Sequence, residues 1–137
     1  MIEGLLPPKE CPPCAREYCR HYSYQLGWKG GPQCARGVDM TAVGAALPCM
    51  PPDHQRGATC AKREEWSSAE RAAWKEFAAN SIARAAVIMQ AIPRAGAGDA
   101  GWIECPVCGG TVSWSRARLN GHLHAACSTP NCFAVMQ

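Results

Sequence analysis

Two cysteine pairs near the end of the chain, Cys105-Pro-Val-Cys108 and Cys127-Ser-Thr-Pro-Asn-Cys132, lie 18 residues apart. Each pair suits a tight turn that aims two thiolates at one point, and the stretch between is long enough for a hairpin that returns the second turn to the first. Gly109 and Gly110 follow the first pair and allow the backbone bend that a knuckle needs. Cys105, Cys108, Cys127 and Cys132 are therefore expected to bind Zn²⁺ tetrahedrally in a zinc ribbon. Four sulfurs leave no position open for water, so such a zinc would be structural rather than catalytic.

The rest of the composition fits metal-assisted folding. The chain has 137 residues and ten cysteines. Large aliphatic side chains are sparse, and much of the nominal apolar fraction is alanine, which buries little area. Staples compensate for such a thin core in small proteins. Disulfides are the rival use for an even number of thiols, but Met1–Pro8 has neither a basic lead nor the apolar run of a secretion signal. Metal is preferred over disulfides, and the expected setting is the cytoplasm. No stretch is apolar for the 18 residues that a membrane span needs.

The formal net charge of +3 is not by itself a nucleic-acid signal. A zinc held by four thiolates carries −2, so one site lowers the balance to +1 and two lower it to −1. Only a local basic patch could draw phosphate.

The expected fold class is a small, metal-stabilised α+β protein: a loop-rich cysteine module, one long α-helix and a C-terminal antiparallel zinc ribbon. Residues 1–10 read as a flexible lead and residues 11–65 as the cysteine-rich module, where Gly and Pro recur without periodicity. An amphipathic helix is expected over 66–93. Ser67 and Glu70 form a capping-box pattern at its start, and Pro93 ends it. Trp74, Phe77, Ala78, Ser81, Ile82, Ala85, Ile88, Met89 and Ile92 recur at three- and four-residue steps as one buried stripe, with Arg71, Lys75 and Arg84 off it. Such a helix would pack on the metal modules or on a second copy of itself, giving a homo-oligomer. Residues 94–101 read as a Gly/Ala linker. The Gly96-x-Gly98-x-x-Gly101 spacing inside it is set aside, because no strand precedes it and no helix follows. Residues 102–137 form the ribbon, with strands at 111–115, 122–126 and 133–136 and a turn at Asn120-Gly121.

Further side chains invite chemistry. Cys19, Cys34, Cys49 and Cys60 are single thiols spaced by 14, 14 and 10 residues. They make a candidate second site for zinc or a [4Fe–4S] cluster. Cys11, Cys14 and His21 are possible additional ligands. Cys11-Pro-Pro-Cys14 could also be a redox dithiol, but the βαβ context of such chemistry is missing. Trp114, Arg116 and Arg118 alternate along a strand, an arrangement that suits stacked bases and phosphates, although a packed tryptophan with two solvated arginines fits the same pattern. His122 and His124 sit two apart, on one face of a strand, where they could replace a cysteine ligand, touch phosphate or cover the sheet. A surface or supporting role is favoured, since four cysteines already fill the site. Arg16, Arg20, Lys29 and Arg36 form a second basic set.

Cys19-Arg-His-Tyr, Cys34-Ala-Arg-Gly-Val, Leu47-Pro-Cys49 and Cys60, together with the ending from Cys105 through Asn120-Gly-His-Leu-His to Cys132, resemble a group of small cysteine-rich proteins of bacteriophages and prophages. The resemblance covers about residues 19–60 and 102–137. It implies a phage-encoded protein in the host cytoplasm and gives the 19/34/49/60 set weight as one ligand group, while Cys11 and Cys14 stand outside the pattern. It brings no reaction and no named partner.

Enzyme signatures are missing, including the metalloprotease, phosphate-loop, serine-hydrolase and zinc-deaminase motifs. The chain is therefore expected not to be an enzyme. The first functional expectation is a zinc-binding regulatory or accessory protein that binds nucleic acid or a nucleic-acid-processing machine. The alternatives are an adaptor or inhibitor of a host protein, and an iron–sulfur or redox protein. No small-molecule substrate is evident.

Overall fold

The computed structural model describes residues 1–40, 47–55, 57, 59–94 and 98–136. The expected α+β class is found. Strands β1 (Tyr22–Gln25) and β2 (Gly31–Cys34) come first, then helix α1 (Ser68–Ala91), then β3 (Ala100–Glu104), β4 (Thr111–Arg116), β5 (Leu123–Cys127) and β6 (Ala134–Met136). The chain divides into two compact units, one of Met1–Pro12 with Lys75–Gln137 and the other of Pro13–Trp74.

The first unit is the ribbon with most of the helix. Its four strands pair antiparallel in the order β3-β4-β5-β6. The alternation Thr-Val-Ser-Trp-Ser sends Val112 and Trp114 inward and the serines outward, as a period of two requires. Leu123 and Ala125 do the same on β5. Ile88 and Ile92 join Val107, Val112, Trp114, Leu123, Ala125 and the thiols of Cys105 and Cys132 in one buried cluster. A linker was expected over 94–101, but Ala100 and Gly101 belong to β3 and pair with Ser115 and Trp114. Gly96 of the discarded glycine pattern lies outside the described residues.

The lead, expected to be flexible, makes contacts with the ribbon. Ile2 donates its amide to the Val107 carbonyl at 3.2 Å, and the Asn131 side-chain amide donates to the carbonyls of Pro8 and Lys9 at 3.2 Å each. Leu5 packs on the ribbon core. These partners are more than a hundred residues distant in sequence, so no local pattern announces them.

The helix starts as its capping box dictates. The Glu70 amide donates to Ser67 Oγ at 3.1 Å, and the Ser67 amide donates to the Glu70 carboxylate at 2.8 Å. Those bonds hold the Glu70 carboxyl below its ordinary pKa, with Arg20 adding to the effect. The stripe is shifted from expectation at two places. Ile82 is 72% exposed, whereas Arg84, placed off the stripe, is only 2% exposed.

The second unit, Pro13–Trp74, is built differently. β1 and β2 form a two-stranded antiparallel pair in which Tyr22 faces Cys34. Its buried cluster consists of Cys19, Met40 and Cys49, with Tyr22, Cys34 and Val38 packed against it.

Candidate metal centre

The ribbon strands place the four C-terminal cysteines at one end of the sheet. Cys105 opens the first knuckle, where its carbonyl accepts the Gly109 amide at 2.9 Å and its amide donates to the Gly110 carbonyl. Gly109 takes a φ of +75°, a conformation that costs any other L-residue dearly. Gly110 is required for space, since a Cβ there would stand 2.5 Å from Thr129 Oγ1. Cys127 ends β5, and the turn through Pro130 and Asn131 returns Cys132 to it, with Thr129 offering its amide to Cys127 Sγ at 3.5 Å.

The four sulfurs lie within 4.8 Å of one another, and among the described residues no other group of three or more Cys, His, Asp or Glu ligand atoms is gathered so closely. Cys105 and Cys132 are 3.8 Å apart and Cys108 and Cys127 are 3.6 Å apart. A disulfide would need about 2.05 Å. The four cysteines are thus positioned to hold a metal ion.

Electrostatics supports the same use. Burial would raise the Cys108 thiol, but hydrogen bonds with Thr129 and the Gly110 backbone outweigh it and bring the pKa down to about 6. Burial pushes Cys127 up, and it pushes Cys132 up further, helped by the neighbouring sulfurs. One thiolate forms readily and the next ones repel it. A cation at the centre removes that repulsion.

Arg84 was missed as a site residue. Its Nε donates to the Cys132 carbonyl at 3.2 Å and its Nη2 reaches Ser81 Oγ at 2.8 Å, with the Phe77 ring beside the guanidinium. Among the described residues it forms no ion pair with a carboxylate, although a buried guanidinium needs a compensating negative charge. Four thiolates around a divalent ion would supply a net −2 next to it.

The nucleic-acid candidates are placed less favourably. Trp114 and Arg116 share a face as expected, but it is the inward one. Trp114 is 6% exposed, its indole lies against Gly101, and the Arg116 guanidinium sits 5.2 Å over its ring. Trp114 is packed and its buried ring offers no open platform for a base. Arg118 is exposed and paired with Asp99 at 2.9 Å. His124 lies on the outer face of β5, while His122 precedes the strand and is exposed. In the second basic set, Arg16 lies over Trp74, Arg20 pairs with Glu70 and lies over Trp66, Lys29 lies over Trp28, and Arg36 pairs with Glu64 at 3.1 Å.

Of the N-terminal thiols, Cys19 and Cys49 are buried, Cys34 and Cys60 are half-buried, and Cys11 and Cys14 are exposed. Burial raises the Cys49 thiol, and Cys19, Cys34 and Cys60 each add to the rise, so the four feel one another. The His21 imidazole is engaged by Glu64 at 3.0 Å and by Arg36. No helix among the described residues is long and apolar enough to cross a membrane. Comparison with protein-family models, curated proteins and solved structures finds no match to the chain.

Proposed function

We propose that the chain is a zinc-stabilised, non-catalytic adaptor that engages a protein partner through the outer face of its ribbon sheet. Zinc is favoured for the ribbon because Zn–S bonds of about 2.3 Å make a tetrahedron with edges of about 3.8 Å, close to the spacings of the two sulfur pairs. An iron–sulfur cube would insert eight atoms among the same thiols. A closed tetrathiolate ion offers no site for substrate, which supports a binding role over an enzymatic one.

One observation carries the choice of partner. Across the outer face of the sheet run two rows of paired residues, Trp102–Ser113–Ala126–Ala134 and Ala100–Ser115–His124–Met136. Neither row contains Lys or Arg. Trp102 is 73% exposed and Met136 78%, at opposite edges of a floor of small side chains. Exposed Trp and Met around a floor without Lys or Arg, with the Glu104 carboxylate at its end, match the anchors of protein interfaces. Phosphate binding instead needs cations free to face the backbone. A protein of a nucleic-acid-processing machine remains within this reading as a target, whereas nucleic acid itself is disfavoured.

The test uses the zinc-loaded full chain. A cell-extract protein should be retained in stoichiometric amount by the wild type and lost with Trp102→Ala, while zinc content stays unchanged. Neither duplex nor single-stranded DNA or RNA should bind at low salt. Tight binding of either nucleic acid with a steep salt dependence would overturn the adaptor reading.

A further inference from the structure

We infer that the open edge of β3 takes an extended segment of a protein partner, which adds to the four-stranded sheet as one more strand beside Trp102. This rests on the adaptor reading and deepens it, naming the shape and chemistry of what the ribbon binds. The first argument is the ladder itself. The Cys105 amide donates to the Gly110 carbonyl at 2.6 Å, and the Arg116 amide donates to the Asp99 carbonyl at 2.6 Å. Between those two bonds the register of β3 on β4 runs without a bulge. Antiparallel residue pairs alternate between bonded and unbonded, so Gly101 and Ile103 direct their backbone groups to β4. Ala100, Trp102 and Glu104 turn theirs outward. Among the described residues no backbone hydrogen bond from outside the sheet reaches those outward groups.

The second argument is that nothing guards this edge. Exposed edges are ordinarily blunted by lysine, proline or a bulge, or covered by another element. β3 reads Ala-Gly-Trp-Ile-Glu and has none of the first three, and no strand among the described residues lies beyond it. The opposite edge is shorter. The Cys127 amide donates to the Phe133 carbonyl at 2.9 Å, so on β6 only Ala134 and Met136 face out. A strand added at β3 gains main-chain bonds at three residues instead of two.

The third argument is what fits beside it. The side chains of Ala100, Trp102 and Glu104 lie on the outer face, and Trp102 is 73% exposed. Alternate side chains of an added strand lie on that same face. An apolar one covers the indole, and a lysine or arginine two positions away meets Glu104. The Glu104 carboxylate forms no ion pair among the described residues. A second copy of the chain fits less well. Paired antiparallel about Trp102, it would set Ala100 against Glu104 and leave both carboxylates unmatched, since β3 has no cation. Nucleic acid cannot continue a peptide ladder.

The probe is a random library of short displayed peptides, selected on the metal-loaded full chain. Selected peptides should share an apolar residue with Lys or Arg two positions away. Hydrogen exchange of the free chain should show fast amides at Ala100, Trp102 and Glu104 and slow ones at Gly101 and Ile103. Binding of a selected peptide should slow the three fast amides, a readout that needs no variant. Ala100→Pro removes one outward donor at the first residue of the strand, where proline is tolerated, and keeps Trp102. It should weaken the peptide about tenfold, with slow Gly101 and Ile103 amides showing that the sheet is intact. Glu104→Gln should abolish the preference for Lys or Arg. A library without binders, Trp102 and Glu104 amides already slow in the free chain, protection at Ala134 and Met136 instead, or full-strength binding by Ala100→Pro would each overturn the inference. Partner capture lost with Trp102→Ala but kept by Ala100→Pro would remove the edge and leave the adaptor reading standing. Capture kept by Trp102→Ala would remove the adaptor reading, so the two failures are told apart.

Discussion

The two units set four cysteines into very different surroundings. In the ribbon, Cys105 and Cys132 share a buried cluster with Ile88, Ile92, Val107, Val112, Trp114 and Leu123, so thiols and hydrocarbon work together. In the Pro13–Trp74 unit, Cys19 and Cys49 share theirs with Met40. The ribbon is also laced by a four-stranded ladder, whereas the described residues of the other unit form two strands of four residues each. Among the described residues, thiols thus sit within a hydrocarbon-rich cluster in one unit and make up most of a small cluster in the other. The difference lies in how much carbon surrounds the sulfur.

Metal removal would test this contrast most severely. Structural zinc is worth about 10–16 kcal/mol in small domains. Chelation of the reduced protein should abolish hydrogen-exchange protection of the Gly109 and Thr129 amides in the knuckles, while the Cys19 and Tyr22 amides of the other unit keep theirs. Equal loss in both units would break the comparison. Next in size is Arg84→Ala, which removes the packing of a buried side chain and leaves the Cys132 carbonyl without its donor. It should destabilise the ribbon unit by about 3 kcal/mol, read from its denaturant midpoint. Arg84→Met keeps most of the volume and should weaken metal retention roughly tenfold in a chelator competition.

Gly110→Ala should cost about 2 kcal/mol, because the new methyl group runs into Thr129 and Ser128 beside the second knuckle. The smallest effect belongs to the helix start. Ser67→Ala should lower stability by about 1 kcal/mol at neutral pH. The Glu70 carboxyl, held low by the Ser67 bonds, contributes stability above its unfolded pKa and loses it as pH falls through the folded value. The difference in melting temperature between wild type and Ser67→Ala should therefore narrow in acid.

How much was legible in the sequence follows the range of the forces involved. The capping box of Ser67 and Glu70 was readable because its partners are three residues apart. The ribbon tetrad was readable because ligand spacing encodes the knuckles. The alternation of β4 showed that Trp114 and Arg116 share a face, but alternation is symmetric and cannot say which face is covered. The helix stripe contained two neighbouring columns, one through Phe77, Ser81 and Ile88 and one through Ala78, Ile82, Ala85 and Met89. Packing on the sheet uses both columns in part, with Met89 on the core, but it buries Arg84 and strands Ile82 in solvent. Hydropathy could not favour an arginine, because its partner is a carbonyl 48 residues away. The β1–β2 pair was hidden by Pro32, which normally argues against a strand and is tolerated at an edge. The start of β3 was missed because Ala100 and Gly101 read by composition as linker.

Arg84 has one more consequence, for the path by which the ribbon comes apart. With the ion gone and the sulfurs protonated, the knuckle turns neutral and a full positive charge is marooned in a dry interior. That half-dismantled state is penalised, so the guanidinium must escape to water, and the helix carrying it must let go of the sheet. Emptying the site and releasing the helix thus become one cooperative event rather than two successive ones.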